Sequence, residues 1–357
     1  MGLLDFGKTE SLIGLDIGAS TIKLIEIDIS GDPPRIVQFA QVETVPDCFS
    51  SNTLSRSDEV AELLSTLLES HSIHGKRVSI AMPGPSVFTK KIQMPSMSYA
   101  ELASAVQFEA GNYIPHNVDD VKLDFHVIGE AGKNDLDILL VAVKNEVVDS
   151  FLDAISLAGL ETAVVDVDYF AIQNAFELAY PERVDQTVAL INIGARFSSV
   201  NICRNGESMF TGDVSVGGRL VSEDISEKLQ IPYEEAEQRK LAYDVSSVGF
   251  EELKEVLDTN MEYVASELNR QLSFFWSAAG VDDGIDSVLL TGGGALLPGL
   301  VEELSVKTGI ECELIDPLEG VLVGDKVDED LIRKNAQLLA VAVGIGIRTP
   351  GDKIYPE

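Results

Sequence analysis

A chain of 357 residues, 45% of them hydrophobic, can bury a large core and is long enough for two lobes or more. Its 59 acidic and 26 basic side chains give a formal net charge of −33. This charge excludes a general nucleic-acid binder and a direct binder of anionic membranes, because both need a basic face. The three widely spaced cysteines form no Cys-x-x-Cys pair and are typical of free thiols in a reducing compartment.

No segment of the sequence is predicted to enter a membrane. The N-terminus lacks the basic region and apolar core of a signal peptide, and no apolar run is long enough to span a bilayer. Phe6 stands where a myristoylation motif requires Ser or Thr. We therefore expect a cytoplasmic protein whose membrane association is made through a partner. Residues 1–10 are expected to cover an edge of the first sheet.

The first predicted elements form a β-hairpin over residues 14–27. Its turn, 18–21, contains one glycine and two hydroxyl side chains. Such a turn suits phosphate, because Gly18 lets the backbone come close, successive N–H groups can point at an anion, and Lys23 adds a positive charge. Asp16, at the end of the entering strand, is placed to orient water on Mg²⁺. It is the candidate catalytic residue and, through water, the candidate metal ligand.

The hairpin is followed by a predicted strand over 36–42, a helix from residue 57 and a strand over 76–82. Residues 83–162 are then predicted as a strand–helix–strand–strand–helix unit, compact enough to be an inserted subdomain. Its first helix begins at a capping box of Ser98 and Glu101 and carries the apolar residues Leu102, Val106 and Phe108.

The second half of the chain is predicted to begin with a return to the first lobe and then to build a second one. Its predicted elements are a strand over 163–167, a helix over 169–179, a hairpin over 188–202, a flexible turn over 211–218, helices over 219–229, 233–240, 249–279 and 298–308, and a small apolar helix over 335–347.

Two of these later stretches repeat phosphate-binding patterns. The hairpin over 188–202 has a glycine–alanine pair at 194–195, like the pair at 18–19, and places Asn192 where the first hairpin has Asp16. Further on, an apolar strand from residue 288 runs into three glycines and then into a helix. Two phosphate-type hairpins and a strand–glycine–helix turn, in that order, resemble the actin-like ATPase superfamily.

Within that superfamily the chain resembles the PilM family of type IV pilus assembly, over nearly its whole length, and the division protein FtsA less closely. Besides the nucleotide motifs, the matching stretches are 11–18, 81–86, 107–115, 165–171 and 340–344. The stretch 107–115 is the most specific, because it lies in the insertion and outside the shared ATPase motifs. FtsA members end in an amphipathic membrane helix, which residues 349–357 cannot form.

The resemblance implies an α/β fold of the actin-like, duplicated ribonuclease H-like type, with two lobes and a small α+β inserted subdomain. The implied division is 1–82 for the first-lobe core, 83–162 for the insertion, 163–187 for the return to the first lobe, 188–212 for the second-lobe core, 213–284 for its helical subdomain, 285–334 for its adenosine part, and 335–357 for a C-terminal helix on the first lobe.

The resemblance also implies ATP or ADP with Mg²⁺ between the lobes. The residues carried over to the phosphates are Gly18, Ala19, Ser20, Thr21, Lys23, Asn192, Gly194 and Ala195. Those carried over to the ribose and adenine side are Gly217, Gly218, Glu237, Lys240, Gly292, Gly293, Gly294 and Ala295. The implied partners are the cytoplasmic N-terminal tail of the membrane protein PilN, held in a groove beside the insertion, and other pilus assembly platform proteins.

Asn192 departs from the family pattern, which usually has Asp at this position. Without that carboxylate, hydrated Mg²⁺ is held less firmly and one candidate for orienting the attacking water is lost. Because the phosphates are cradled mainly by backbone, we expect binding to survive and hydrolysis to be slow or absent.

Several alternatives stay open at this point. One is an active ATPase that drives conformational change or filament formation; others are a small-molecule kinase or phosphatase on the same fold and a relative from general secretion systems. His71 and His74 have the spacing of a metal pair, but no further Cys or His is placed nearby, which favours surface positions. Arg196, just past the second turn, is placed either to reach phosphate or to lie solvated in the loop.

Overall fold

The computed structural model describes residues 11–132, 134–247, 249–279 and 284–351. The predicted lead-in over residues 1–10 lies outside this described part. The strands are β1 (Ile13–Ile17), β2 (Thr21–Asp28), β3 (Arg35–Glu43), β4 (Phe49–Ser50), β5 (Thr53–Leu54), β6 (Arg77–Met82), β7 (Val87–Pro95), β8 (Val121–Glu130), β9 (Asp135–Lys144), β10 (Glu161–Val167), β11 (Val188–Ile193), β12 (Ser198–Arg204), β13 (Glu207–Val214), β14 (Ser287–Thr291), β15 (Glu311–Leu314) and β16 (Leu322–Val323). The helices are α1 (Ser57–Ser70), α2 (Tyr99–Glu109), α3 (Asn145–Leu157), α4 (Asp168–Ala179), α5 (Gly218–Leu229), α6 (Tyr233–Ala242), α7 (Phe250–Ala279), α8 (Leu300–Thr308), α9 (Glu329–Lys334) and α10 (Ala340–Gly346).

The first lobe is built on a six-stranded sheet in the order β10-β6-β1-β2-β3-β16. β1 and β2 form the predicted antiparallel hairpin, in which Asp16 stands opposite Lys23. β6 runs parallel to β1 on the other side. Apolar residues of α1 and α3, such as Leu64 and Phe151, share one buried core with the strands. This packing fixes the direction in which the first hairpin presents its turn.

The second lobe is built on a five-stranded sheet in the order β13-β12-β11-β14-β15. β11 is antiparallel to β12 and parallel to β14, so Asn192 stands beside both Ser199 and Thr291. The predicted apolar stripe of α7, including Leu257 and Leu268, is buried in the core of this lobe. Because β11 ends beside the end of β14, the second hairpin turn and the three-glycine turn emerge at the same edge of the sheet.

Helices α4 and α10 lie between the two sheets. Every residue of α10 is buried. One core joins side chains of α4 and α10 to β11 and β14 of the second lobe, and another joins α10 to β2 and β3 of the first lobe. The two lobes are therefore linked through a packed apolar hinge. No helix in the described ranges combines the length and apolar character needed to span a bilayer.

The inserted subdomain, which we define as β7, β8, β9 and α2, is a three-stranded sheet in the order β7-β9-β8 with α2 on one face. The backbone N–H of Ser98 donates to the Glu101 carboxylate at 3.0 Å, as the predicted capping box requires. Leu102 and Val106 are buried against the sheet, but Phe108 is 86% exposed. Phe108 follows Val106 by two positions, a rotation of about 200° around the helix, which places these two side chains on nearly opposite faces of α2.

Two segments differ from their predictions because long-range packing governs them. α3, predicted as the last helix of the insertion, buries Val147, Phe151 and Ile155 in the first-lobe core beside α1. The stretch 211–218, predicted as a flexible turn, begins as a strand, since β13 pairs with β12 as far as Val214. Gly212 and Asp213 lower local strand propensity, but cross-strand pairing overrides it. The predicted domain boundaries themselves stay predictions.

Candidate functional site

The turn of the first hairpin is closed by hydrogen bonds from its own strand and from β3. The N–H of Gly18 donates to the Thr21 carbonyl at 3.2 Å. The side chain of Thr44, just past β3, donates to the Gly18 carbonyl at 2.7 Å, and its N–H donates to the Ser20 carbonyl at 2.9 Å. With the carbonyls of Gly18 and Ser20 held by Thr44, the N–H groups between them, including that of Ala19, are free to face the cleft.

Asp16 and Lys23 form an ion pair at the base of this turn. Lys23 Nζ lies 2.9 Å from Asp16 Oδ2, and both side chains are largely buried. The cross-strand register of β1 and β2 brings them together. The predicted water-orienting carboxylate and the predicted phosphate cation are thus one paired unit.

The turn of the second hairpin is joined directly to the start of α5. Gly194 N–H donates to the Phe197 carbonyl at 3.0 Å, and Gly218 N–H donates to the Gly194 carbonyl at 2.9 Å. A Cβ on Gly217 would lie 2.6 Å from the Ala195 carbonyl oxygen, so this close approach requires glycine. The N-terminus of α5, with its partial positive charge, is therefore fixed beside the turn at Gly194 and Ala195.

The cation predicted on α6 reaches back to the same point. Lys240 Nζ donates at 2.8 Å to three acceptors: the Gly218 carbonyl, Ser222 Oγ and Glu237 Oε2. Ser222 also donates to the Glu237 carboxylate. Burial lowers the pKa of the Lys240 ammonium, and its bond to Glu237 opposes that shift. Lys240 and Glu237, far from the hairpins in sequence, thus belong to the site that α5 begins.

The three-glycine turn, residues 292–294, forms a third part of the candidate site. Gly292 has a φ of +86°, and a Cβ there would lie 2.4 Å from Asn192 Oδ1, so only glycine fits. Its N–H donates to the Gln337 carbonyl at 2.8 Å. Gly294 is near α5, since a Cβ on Gly218 would stand 3.9 Å from the Gly294 Cα. Gly293 is exposed, whereas the side chain of Ala295 lies in the second-lobe core, which leaves only its backbone for a ligand.

Two contacts join the lobes across the cleft, and one of them involves Arg196, which the sequence left open between phosphate and solvent. Arg219, the second residue of α5, pairs with Asp47 of the first lobe at 3.1 Å. The guanidinium of Arg196 lies over the ring of Phe49, 5.7 Å from its centroid. Nothing in the sequence around Asp47 and Phe49 signals these contacts, because they depend on how the lobes are set against each other.

A second cluster missed by sequence reasoning lies where the inserted subdomain, α4 and β13 meet. Burial and the neighbouring Asp213 carboxylate raise the pKa of Asp168 to about 7, and burial raises the pKa of Asp213 to about 7. The Oδ1 atoms of both residues are buried without a hydrogen-bond partner among the described residues. Both face Gly84, where a Cβ would lie 2.5 Å from Asp213 Oδ1 and 3.1 Å from Asp168 Oδ1.

A groove runs from this cluster between the inserted subdomain and the second lobe. Its volume is about 270 Å³, and at its floor the hydroxyls of Thr89 and Thr211 lie 2.8 Å apart. The residues that line it are Thr89, Lys90, Lys91, Leu139, Ser208, Met209, Phe210 and Thr211. β7 and β13, which form its sides, are each the edge strand of a sheet.

The donor set at the cleft suits a polyphosphate. The second hairpin turn, the start of α5, the three-glycine turn and Lys240 lie together on the second-lobe side of the cleft. The first hairpin turn and Lys23 belong to the first lobe. Asp16 is the acidic candidate beside the first turn, and no group of three or more His, Cys, Asp or Glu side chains in the described ranges could hold a metal ion directly. A Mg²⁺ ion at this site would therefore be held largely by phosphate and water oxygens.

Solved structures with the same fold support this description of the two lobes. A chain of the PilM–PilN type IV pilus biogenesis complex is similar over 95% of this chain and 98% of its own, with 27% identity and a TM-score of 0.85. The ethanolamine utilization protein EutJ from Carboxydothermus hydrogenoformans matches over 97% of this chain and 92% of its own, with 15% identity and a TM-score of 0.56. MreB5 of Spiroplasma citri, solved with ADP, matches over 92% and 99%, with 13% identity and a TM-score of 0.54. The predicted actin-like α/β fold is confirmed.

Sequence comparisons lead to the same family. The cell division protein FtsA of Neisseria meningitidis serogroup B is 27% identical over 158 residues, which cover 36% of this chain and only 38% of FtsA. The family model described as type IV pilus assembly protein PilM matches residues 14–350, nearly the whole chain. The chain belongs to the PilM family.

Proposed function

We propose that this protein is an ATP-binding scaffold of the type IV pilus assembly platform that holds the cytoplasmic tail of PilN at the inner membrane. The observation that carries the proposal is the similarity, over 95% of the chain, to a chain of the PilM–PilN complex. Family membership over residues 14–350 supports the pilus assignment. Other platform proteins are expected to join through the same assembly.

Nucleotide binding is supported by the second hairpin turn, the start of α5 and the three-glycine turn, which lie together in the second lobe, and by the similar turn of the first hairpin in the first lobe. ATP would be the polyphosphate ligand, and Mg²⁺ would neutralise part of its negative charge. The N–H groups that point out of the two hairpin turns would contact the phosphates, and the partial positive charge of the α5 N-terminus would attract them. Lys23 and Lys240 would provide cations, and the glycines at 292–294 would border the adenosine. Backbone donors dominate this set, which suits a chain whose net charge of −33 repels anions at long range.

Slow or absent hydrolysis is supported by the carboxylates of the cleft. Asn192 offers an amide where the family usually has a carboxylate. Asp16 Oδ2 is already paired with Lys23 Nζ at 2.9 Å, so one of its oxygens is engaged within the protein. A brisk Mg²⁺-dependent release of phosphate by the purified protein would contradict this part of the proposal.

Two surfaces of the inserted subdomain are available to the PilN tail. One is the groove between β7 and β13, where Lys90 and Lys91 would meet acidic side chains and the free strand edges would accept an extended peptide. The other is the outer face of α2, where Gln107 and the 86% exposed Phe108 stand next to each other. We propose that the groove holds the tail, because it offers backbone edges, cations and apolar side chains together.

The deciding experiment is a titration of the purified protein with a labelled peptide of the PilN N-terminus, with and without Mg-ATP. Lys91→Glu tests the groove, Gln107→Ala and Phe108→Ala test α2, and Lys122→Glu is the control, because Lys122 is exposed on β8 at the other edge of the same sheet. All four positions are exposed, so the fold should be retained.

We expect saturable binding that Lys91→Glu weakens at least tenfold and Lys122→Glu leaves unchanged. If only Gln107→Ala or Phe108→Ala weakened peptide binding, the tail would bind on α2 instead of in the groove, and the proposed scaffold function would still hold. No binding of the peptide in either nucleotide state would contradict the pilus scaffold itself.

A further inference from the structure

Arg196 occupies the tip of the second hairpin turn and spans the gap between the two lobes. The turn that carries it is held by Gly194 on one side and by the start of α5, where Arg219 N–H donates to the Ala195 carbonyl at 2.8 Å. Its guanidinium lies over Phe49 of the first lobe. Phe49 follows shortly after Thr44, whose side chain holds the first hairpin turn. Arg196 therefore connects the second hairpin turn to the first-lobe segment that follows Thr44.

No carboxylate in the described part of the chain forms an ion pair with Arg196, because no carboxylate oxygen there lies within the 4.0 Å that defines such a pair. Burial and the neighbouring cation of Arg219 lower the pKa of its guanidinium. In a chain with 59 acidic and only 26 basic side chains, a half-buried arginine without an acidic partner is an uncommon arrangement.

Arg219, on the same side of the cleft, differs from Arg196 because it has acidic partners. It is paired with Asp47 at 3.1 Å and with Glu223 at 2.8 Å, so its charge is balanced within the protein. Arg196 stacks only on an aromatic ring, a contact that a guanidinium can exchange for a charged oxygen at little cost. An anion placed between the two hairpin turns would balance the charge of Arg196.

We propose that Arg196 binds the terminal phosphate of a nucleoside triphosphate and so makes this protein select ATP over ADP. The inference rests on the proposed nucleotide binding and names the residue that distinguishes the two ligands. The backbone turns would hold phosphates that both nucleotides carry, whereas Arg196 would contact the phosphate present only in the triphosphate. When it does so, it leaves Phe49, which couples the 47–49 segment of the first lobe to the nucleotide.

The test compares the affinities of Mg-ADP and of Mg-AMPPNP, a triphosphate analogue with a nonhydrolysable terminal linkage, by isothermal titration calorimetry. Arg196→Met keeps an unbranched side chain and removes the charge, and Arg196→Lys restores a charge without the planar fork. Arg204→Met is the matched control, because Arg204 stands at the opposite end of β12 and is exposed. Thermal melting without ligand checks that each variant folds.

We expect Arg196→Met to weaken AMPPNP binding by about 10- to 100-fold, the range for a charge-assisted hydrogen bond, and ADP binding by at most about 3-fold. Arg196→Lys should recover part of the loss, and Arg204→Met should change neither affinity. Equal losses for both nucleotides, or none, would overturn the inference while leaving nucleotide binding in place. If the wild-type protein bound neither nucleotide, the proposed function and this inference would fail together.

Discussion

The hydroxyl of Thr89, in the inserted subdomain, lies 2.8 Å from the hydroxyl of Thr211, in the second lobe. The buried hydroxyl of Tyr169, the second residue of α4, lies beside both of these side chains. Asp168 and Asp213 stand directly beside this contact, each with one buried oxygen that has no partner among the described residues. The inserted subdomain, α4 and the second lobe therefore meet at a junction that contains two acidic side chains. We expect the stability of this junction to depend on their charge.

We expect the Asp213→Asn variant to be more stable than wild type at high pH. Burial raises the pKa of both Asp168 and Asp213 to about 7, from an ordinary value of 3.8. The folded state therefore binds more protons than the unfolded state, and the stability of the wild type is lost as pH rises through about 4 to 7. At pH 8, where both acids are ionised, an amide at position 213 removes a buried charge and should raise the free energy of unfolding by about 2 kcal/mol.

Urea unfolding at pH 5 and pH 8 measures this effect. The gain from Asp213→Asn should shrink at pH 5, where the wild-type pair is largely protonated. Asp135→Asn, on the exposed start of β9, is the control and should show no such dependence on pH. A gain of the same size at both pH values would mean that the effect is not electrostatic.

Asn192→Asp should restore hydrolysis if the missing carboxylate is what limits it. Asn192 stands beside Gly292 at the base of the second turn, where a carboxylate can hold a water of hydrated Mg²⁺. We expect Mg²⁺-dependent phosphate release to rise by about 10- to 100-fold over the wild type. Asn205→Asp, in the exposed turn after β12, should leave the rate unchanged. Intact nucleotide affinity with no rise in rate would show that another group limits hydrolysis.

Lys240→Met should weaken nucleotide binding without unfolding the protein. The ammonium of Lys240 joins the Gly218 carbonyl, Ser222 and Glu237, so its loss leaves the half-buried Glu237 carboxylate without this cation at the start of α5. We expect a loss of ADP affinity of about 10-fold or more, because a positive charge near the proposed phosphate position is removed and the negative charge of Glu237 is uncovered. Titration calorimetry measures it, and Arg239→Met, at an exposed neighbour that pairs with Glu235, provides the comparison.

Gly292→Ala should destabilise the second lobe by about 2–4 kcal/mol. An alanine there would have to adopt an unfavourable positive φ, and its methyl group would clash with neighbouring atoms. The φ of Gly292 is +86°, and its Cβ would lie 2.5 Å from the Ile193 carbonyl oxygen. Gly309→Ala separates the two causes, since Gly309 also has a positive φ, +71°, but open space around its Cβ. Gly309→Ala should lower the free energy of unfolding by only about 1 kcal/mol. Equal losses in urea unfolding would show that crowding at position 292 contributes nothing.

The sequence by itself determined the elements whose signals are local. Alternating apolar residues around a glycine turn predicted both hairpins, helical spacing predicted α1 and α7, and the capping box predicted the start of α2. The order of the two hairpins and the three-glycine turn indicated the actin-like fold, which the solved structures confirm. These signals suffice because each depends on neighbours within one turn or one strand of the chain.

Only the tertiary structure decided the contacts between residues far apart in the sequence. α3 packs on the first lobe, 211–214 becomes a strand, and Asp168 meets Asp213, because sheet pairing and lobe packing outweigh local propensity. The same holds for Arg196 over Phe49 and for Lys240 on Gly218. The energy of a charge depends on what is packed around it, and no local pattern records which distant residue will stand there.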